Sequence, residues 1–569
     1  MIQIDREITQ DYERASGLEW LETNGLGGWA GTTVAGAHSR RYHGLLVAAT
    51  EPPSERTVLL SRLDETLHLE GETYELSCNQ FPGAVVPRGF EHLTSFHKDL
   101  FPVFEYEAGG VRLRKTVAAV DGENTTLVLY EVLEAPGSFI LSLRPFLAAR
   151  DQHTLSSANP RISQETPFEG GVLRLRPYPD VPEVFLQVPG ADFRSNPQWW
   201  YRFEYEKDRR RGFEFQEDLW TPGLFGLELA PGDRLGIVIS TRNPEGRDAF
   251  ALFEKERKRR EKIVKALPVQ DDFARFLALA ADSFVVRRGP NQRAVVAGYP
   301  FGERSRDTMI ALPGLCLVTG RHEDAKKILR AFAKSPGDQT PVDAPLWMFV
   351  ASWKYLQATG DEAFVRETLL PALRKVIHRY DKERLQELKT AEANALWYNA
   401  LAILAEIEAR VGDPEEAKRL DQRAKRVHKG FQETSWNEEA GEQVHVLSLP
   451  FSPLPKPKAA KLLAAIEEKA APGTTWSPLL GPYLTALVRI HGAVGRKKAL
   501  AIVEQLKPRL IEAGVGSLSE ESEAWTVAEV LRAYVEDLQG GAKETPKKPV
   551  RAARKEDGPA PKAPARRKR

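Results

Sequence analysis

Two hydrophobic periods divide this chain. Up to residue 245, short runs of alternating apolar and polar residues recur: RTVLLSRLDETLHLEGETYEL, TTLVLYEVLEA, FILSLRPFL, VFLQV and RLGIVIST. Clusters of Gly, Pro, Asn and Asp separate them. Period two over many short, closely spaced runs predicts strands, and together a β-sandwich. Residues 246–270 predict a linker helix with Phe250, Leu252 and Phe253 on one face and Lys, Arg and Glu elsewhere. From 271 to 538 the period becomes helical. Eleven candidate helices run from FARFLALAADSFVV to ESEAWTVAEVLRAYVEDL, with short turns marked by Gly, Pro or Asp between them. No short repeat recurs, which disfavours a regular solenoid. Eleven or twelve paired helices suit an (α/α)6 barrel.

Composition adds a tail and a compartment. The chain has 569 residues, 42% of them hydrophobic, enough for two domains with buried cores. Net charge is +1, but residues 541–569 carry 11 Lys/Arg against 3 Asp/Glu, a local +8 that leaves the remainder at −7. This Pro-, Ala- and Lys-rich end cannot bury apolar surface and is expected to be disordered, either as a solvated tail or as a tether to nucleic acid or another acidic partner. The two cysteines, Cys78 and Cys316, fit no metal motif and no disulfide framework, so a reducing, cytoplasmic setting is expected. The segment MIQIDREITQDYERAS lacks a signal peptide's apolar core, and no stretch is long and apolar enough to span a bilayer. His38 and His43 lie close in sequence, but no Cys or further His joins them to make a metal site.

The segment AGYPFGERSRDTMIALPGL places Arg306 and Asp307 at the start of an apolar helix. Arg offers a rigid fork of donors and Asp two acceptors, a pair suited to adjacent sugar hydroxyls. Tyr299 and Phe301 offer flat faces for a pyranose ring. The same residues also fit a plain capped helix, with Asp307 near the positive end of its dipole.

Six blocks in this order along the chain resemble those of the prokaryotic-type glycogen debranching enzymes, the amylo-α-1,6-glucosidase family. They are EWLETNGLGGWAGTTVAGAHSRRYHGLLVA, YRFEYEKDRRRGFEFQEDLWTPGLF, the Arg306 block, VDAPLWMFV, AEANALWYNAL and LSEESEAWTVAEVLRA. The resemblance spans roughly residues 15–538. It implies a sandwich followed by an (α/α)6 barrel, and inverting hydrolysis of α-1,6 branch points in glycogen or a related α-glucan, without metal or organic cofactor. It also implies that Arg306, Asp307, Asp343, Trp347, Glu392 and Trp397 bind substrate. Glu520 falls at the position of the family's catalytic base, with Glu521 beside it; both equally fit the first turn of a capped helix.

The family's general acid lies in a TWMDA segment that this chain lacks. Only DKERLQELKTA, residues 381–391, separates Tyr380 from Glu392. Its carboxylates Asp381, Glu383 and Glu387 sit among Lys382, Arg384 and Lys389, which disfavours the protonated form an acid catalyst needs. Arg304 and Ser305 stand where the family has Trp and Gly, and the long insertion before Asp343 is gone. Trimmed loops on a kept scaffold predict weak or absent hydrolysis, or a non-catalytic glucan-binding or regulatory protein. In the N-terminal block, Arg40, Arg41, Tyr42 and His43 either line the barrel mouth or fix the join between domains. Trp199, Trp200 and Tyr201 form an aromatic cluster that either binds glucan or packs inside.

Overall fold

A computed structural model describes residues 1–299, 301–335, 342–384, 388–432, 444–469, 477–512, 514–518 and 523–540. Glu520, Glu521, Glu387 and the 541–569 tail lie outside the described residues.

The alternating runs form two antiparallel sheets. One has nine strands, with Thr125–Glu134 paired between Val111–Ala119 and Arg234–Ser240 near its centre. The other has eight, with Phe139–Asp151 between Gln216–Leu229 and Glu55–Leu69, and Trp29–Thr33 and Glu19–Thr23 at one edge. Their apolar faces share one core, in which Leu60, Leu141, Leu143, Phe146 and Ile237 are fully buried. Polar side chains tie sheet to sheet. Thr126 Oγ1 donates to the Leu45 carbonyl at 2.7 Å, and Tyr130 donates to Glu65 at 2.7 Å. A buried hydroxyl must find such an acceptor or lose a hydrogen bond to water.

The helical half begins with Asp272–Phe284, capped by the Asp271 side chain at the Ala274 N–H. The helical pattern in FARFLALAADSFVV extends through Val286, but the helix stops at Phe284. The β-branched pair Val285–Val286 opens a hairpin, Val285–Gly289 with Gln292–Val295. Residues stiff at χ1 beside a Gly-Pro turn favour the strand. Further on, two helical runs meet at Gly492, whose φ of +58° breaks the helix. The helix Ala524–Arg532 near the end of the described chain packs against the first, Asp272–Phe284. Tyr534 meets Phe273 at 5.1 Å and donates to Asp271 at 2.6 Å. Among the described residues, no helix is long and apolar enough to cross a membrane.

Two devices join the halves. The first is the helix Ala249–Lys265. Its Phe250, Leu252 and Phe253 pack on Leu127, Leu129 and Val238 of the nine-stranded sheet and on Phe101 in one of its turns. Its charges are not all solvated. Arg260 is buried against Glu22 at 2.6 Å and Glu256 at 3.0 Å, and Arg259 reaches Asp282 of the first helix at 2.7 Å. The second is the TNGLGG loop. Asn24 Oδ1 accepts from the Leu26 and Gly28 N–H groups, shaping a turn in which Gly25 and Gly27 hold positive φ. A Cβ on Gly28 would lie 2.5 Å from the Val47 carbonyl oxygen, so glycine is required. The Gly25 carbonyl then accepts across the join from the Arg287 N–H at 2.8 Å, while Gly27 accepts from Arg56 Nε at 2.9 Å and Arg56 Nη2 crosses the join to the Phe301 carbonyl at 3.2 Å.

Candidate functional site

Arg306 is in the first turn of the helix Ser305–Leu312. Its Nε lies 2.8 Å from Asp343 Oδ2, an ion pair without hydrogen-bond alignment, while Nη2 donates to Glu392 Oε1 at 2.8 Å. Asp343 immediately precedes the helix Ala344–Thr359 without a side-chain capping bond, and Glu392 stands in the first turn of Ala391–Val411. Three helix starts thus converge on one guanidinium. The plane of Trp525 covers it, with Arg306 Cζ 5.2 Å from the ring centroid, close enough for cation–π attraction.

Asp307 stands beside this cluster, its Oδ2 3.8 Å from Arg304. Burial pushes its carboxyl above the usual range and neighbouring Asp343 adds to that, against Arg304 and Arg306. Arg304 in turn lies over the Phe301 ring at 5.0 Å.

Behind Trp525 an aromatic stack runs inward. His445 lies 5.2 Å from Trp525 and 5.1 Å from Trp347. Burial first, then the positive charges of Arg306 and Arg532, holds the His445 imidazole at about 3, so it is neutral. Trp347 is 5% exposed; its ring meets the cluster through His445, while its backbone N–H donates to the Asp343 carbonyl at 3.2 Å. Trp397 is 4% exposed; it stacks on Tyr380 at 5.7 Å beneath Arg423. The sequence-derived set therefore divides. Arg306, Asp343 and Glu392 are in contact and Asp307 is adjacent. Trp347 stands one ring removed, and Trp397 packs inside a helix pair. Glu520 and Glu521 are outside the described residues.

Sequence reasoning did not foresee a neighbouring cavity of about 560 Å³ between the two halves. Trp29, Tyr42 and Phe213 come from the sheet half, Tyr299 and Phe301 from the segment before Arg306. Gly514–Ser517 closes one wall and leads in sequence toward Glu520. Tyr299 donates to the Ser283 carbonyl at 2.7 Å and meets Trp29 edge-on at 5.3 Å. Glu19 organises the polar wall. It accepts from Ser39 at 2.6 Å and Arg40 at 2.9 Å, and pairs with Lys207 at 3.2 Å. Burial alone would raise Glu19, but His43, Arg40, Lys207 and the Ser39 hydrogen bond outweigh it and hold it at about 2. Burial brings His43 down to about 4 despite Glu19. Lys98 donates to the Leu21 and Val515 carbonyls, both at 3.1 Å, and burial lowers it to about 8, opposed by Glu22.

Arg40, Tyr42 and His43 line the cavity, and Arg40 and His43 both meet Glu19 of their own half. Arg41 is engaged elsewhere, with Asp208 at 3.1 Å. Trp200 packs on Phe146, while Tyr201 is exposed. The sequence signals for this cavity were the RRYHG run and the pair Tyr299 and Phe301, and nothing in the sequence joined them, because the walls come from segments hundreds of residues apart.

Two family models match the chain: glycogen debranching enzyme N terminal over residues 18–235, and amylo-alpha-1,6-glucosidase over 279–384. No curated protein matches it. Among solved structures, a bacterial glucoamylase complexed with acarbose is similar at 11% identity and a TM-score of 0.56, covering 92% of this chain and 94% of that one. A putative kojibiose phosphorylase from human microbiome is similar at 11% identity and a TM-score of 0.52, covering 95% and 89%. At such identity the likeness shows shared fold: a sheet-rich domain leading into a helical domain. With the sheet-rich part and the helical part matched in order by models of the same enzyme, the chain belongs to the glycogen debranching enzyme family.

Proposed function

We propose that this protein binds α-glucan, such as glycogen or its oligosaccharides, at the Arg306 cluster and the adjoining interdomain cavity, and hydrolyses α-1,6 branch points weakly or not at all. In this reading the chain divides into a sandwich (1–245), a linker helix (246–270), an (α/α)6 barrel (271–538) and a basic tail (541–569). The packing of Ala524–Arg532 on Asp272–Phe284 supports a ring of helices that closes on itself. Buried thiols at Cys78 and Cys316, both pushed up to about 12 by burial, suit a reducing, cytoplasmic setting.

The observation that carries this reading is the cluster of Arg306, Asp343 and Glu392 under Trp525. It presents a fork of donors, carboxylate acceptors and an aromatic plane in one place, the chemistry that grips a pyranose. Hydrolysis asks for more. An inverting glucosidase needs a protonated carboxyl on one side of the bond and a base on the other, roughly 6.5–9.5 Å apart. In the short segment before Glu392, Asp381 pairs with Arg423, and Glu383 lies 3.8 Å from Arg379. Carboxylates engaged by guanidinium groups are poor proton donors. Losing general-acid help costs typically ~10²–10⁴-fold in rate.

Calorimetry with maltooligosaccharides tests the reading. Binding in the millimolar range is expected, roughly −4 kcal/mol, lost in Asp307→Ala with thermal stability kept. No heat with maltooligosaccharides or glycogen overturns it. The hydrolase reading is tested by glucose release from a phosphorylase limit dextrin. Ordinary turnover that disappears in Glu520→Gln would replace weak activity with full debranching, another carboxyl serving as the acid.

A further inference from the structure

A second cleft, of about 430 Å³, lies on another side of the join. Four arginines line it: Arg242 from the sheet half, and Arg287, Arg288 and Arg293 from the hairpin that opens the helical half. Among the described residues, no carboxylate lines it. In a chain whose first 540 residues carry net −7, four guanidinium groups around one cleft are a marked reversal of charge. We propose that this cleft binds the phosphomonoester group of a small organic molecule.

The surrounding ion pairs hold the arginines without using them up. Arg287 Nη2 donates to Asp121, Arg288 Nη1 lies 3.3 Å from Glu303, and Arg293 Nε lies 2.9 Å from Asp324. Each pair engages one nitrogen of a group that carries five N–H donors, so donors remain on all three. Arg242 is exposed and has no side-chain partner among the described residues. Four arginines against three paired carboxylates leave an excess of positive charge on the cleft wall.

Backbone shape supports this arrangement. Gly122 lines the cleft with a φ of +85°, and a Cβ there would lie 1.9 Å from Arg287 Nη1. A side chain at 122 would push that guanidinium out of this position, and the positive φ favours glycine there. Arg287 is also fixed at its backbone, donating its N–H to the Gly25 carbonyl.

The geometry favours phosphate over carboxylate. A planar carboxylate satisfies one guanidinium fork, whereas a tetrahedral phosphate presents three oxygens in different directions and a charge near −2. Forks from two sides of the cleft match the second shape. The volume exceeds that of bare phosphate, and Leu26, Pro52 and Pro290 supply apolar edges for an organic remainder. A ligand spanning Arg242 and the hairpin arginines would draw the two halves together, so its binding should raise the melting temperature.

Calorimetry and thermal melting of the full chain at low salt test the proposal, with glucose 6-phosphate, inorganic phosphate, glucose and a short single-stranded DNA as probes. Glucose 6-phosphate should bind and raise the melting temperature, and glucose should not compete for this cleft. Arg242→Gln, at an exposed and unpartnered position, should fold normally and weaken glucose 6-phosphate about tenfold, the loss of one charge-assisted hydrogen bond. Arg242→Glu should remove the binding. No response to glucose 6-phosphate, or unchanged affinity in Arg242→Gln, overturns the proposal. Equal affinity for inorganic phosphate overturns the organic ester as ligand. Tighter, Arg242-dependent binding of the DNA overturns it in favour of a phosphodiester chain.

Discussion

His445 shows how a single side chain acquires its properties from neighbours distant in sequence. It lies between Trp347 and Trp525, buried, with Nε2 unpartnered among the described residues. Burial and the Arg306 and Arg532 charges hold it at about 3, whereas the unfolded chain's histidine titrates near 6.5. Below pH 6.5 the unfolded state therefore takes up a proton that the native state refuses. The stability His445 lends is complete above that pH and falls as pH drops toward 3. His43, brought down to about 4, acts in the same sense. Between pH 7 and 5, His445 should account for a loss of about 2 kcal/mol. Urea denaturation of His445→Phe should show that much less acid sensitivity. If the variant and the parent lose stability equally over this range, His445 is protonated in the native state.

At the scale of elements, the helix Ala249–Lys265 is the informative case. Its apolar face was legible in the sequence, since Phe250, Leu252 and Phe253 stand out in a charged run. Its buried charges were not. In the sequence Arg259 and Arg260 do not differ from the other charges of the run, yet they bridge to Asp282 and Glu22 across the join. A helix periodicity shows which face is apolar but not which charged face meets a partner. Arg260→Ala would leave Glu22, 2% exposed, without its cation. Chemical denaturation should show a loss of ~3–5 kcal/mol, and Arg260→Met combined with Glu22→Leu should restore most of it. A loss below ~1 kcal/mol would place the pair with exposed salt bridges that contribute little. The hairpin after Phe284 carries the same lesson at an element boundary, where Val285 and Val286 continued the apolar run while changing its conformation.

For the whole molecule, one apolar core runs through both halves, from Leu60 and Leu141 of the sheets to Leu277, Met309 and Leu396 of the helices. The join adds backbone hydrogen bonds and buried ion pairs. The two halves should therefore unfold together. Near-ultraviolet circular dichroism and intrinsic fluorescence should report one coincident thermal transition. Two separated transitions would mean that the join is weaker than either core. A chain ending at Gly540 should keep the same melting temperature, because residues 541–569 offer little apolar surface for docking. A drop of several degrees would show that the tail packs on the body.

The sequence by itself determined the change from period two to the helical period near residue 246, because side-chain alternation follows directly from strand and helix geometry. It determined the family, since the blocks around Trp29, Arg306 and Asp343 are local and ordered. It also marked Arg306, Asp343 and Glu392, which meet in space, because each begins a helix and the motif names it. Tertiary structure alone decided the rest. Trp347 and Trp397 share a residue type and a helical context, yet one borders the cluster through His445 and the other stacks on Tyr380. The interdomain cavity and the four-arginine cleft have walls drawn from both halves. No local pattern encodes them, because cavity shape and charge excess come from packing between segments that the chain brings together only on folding.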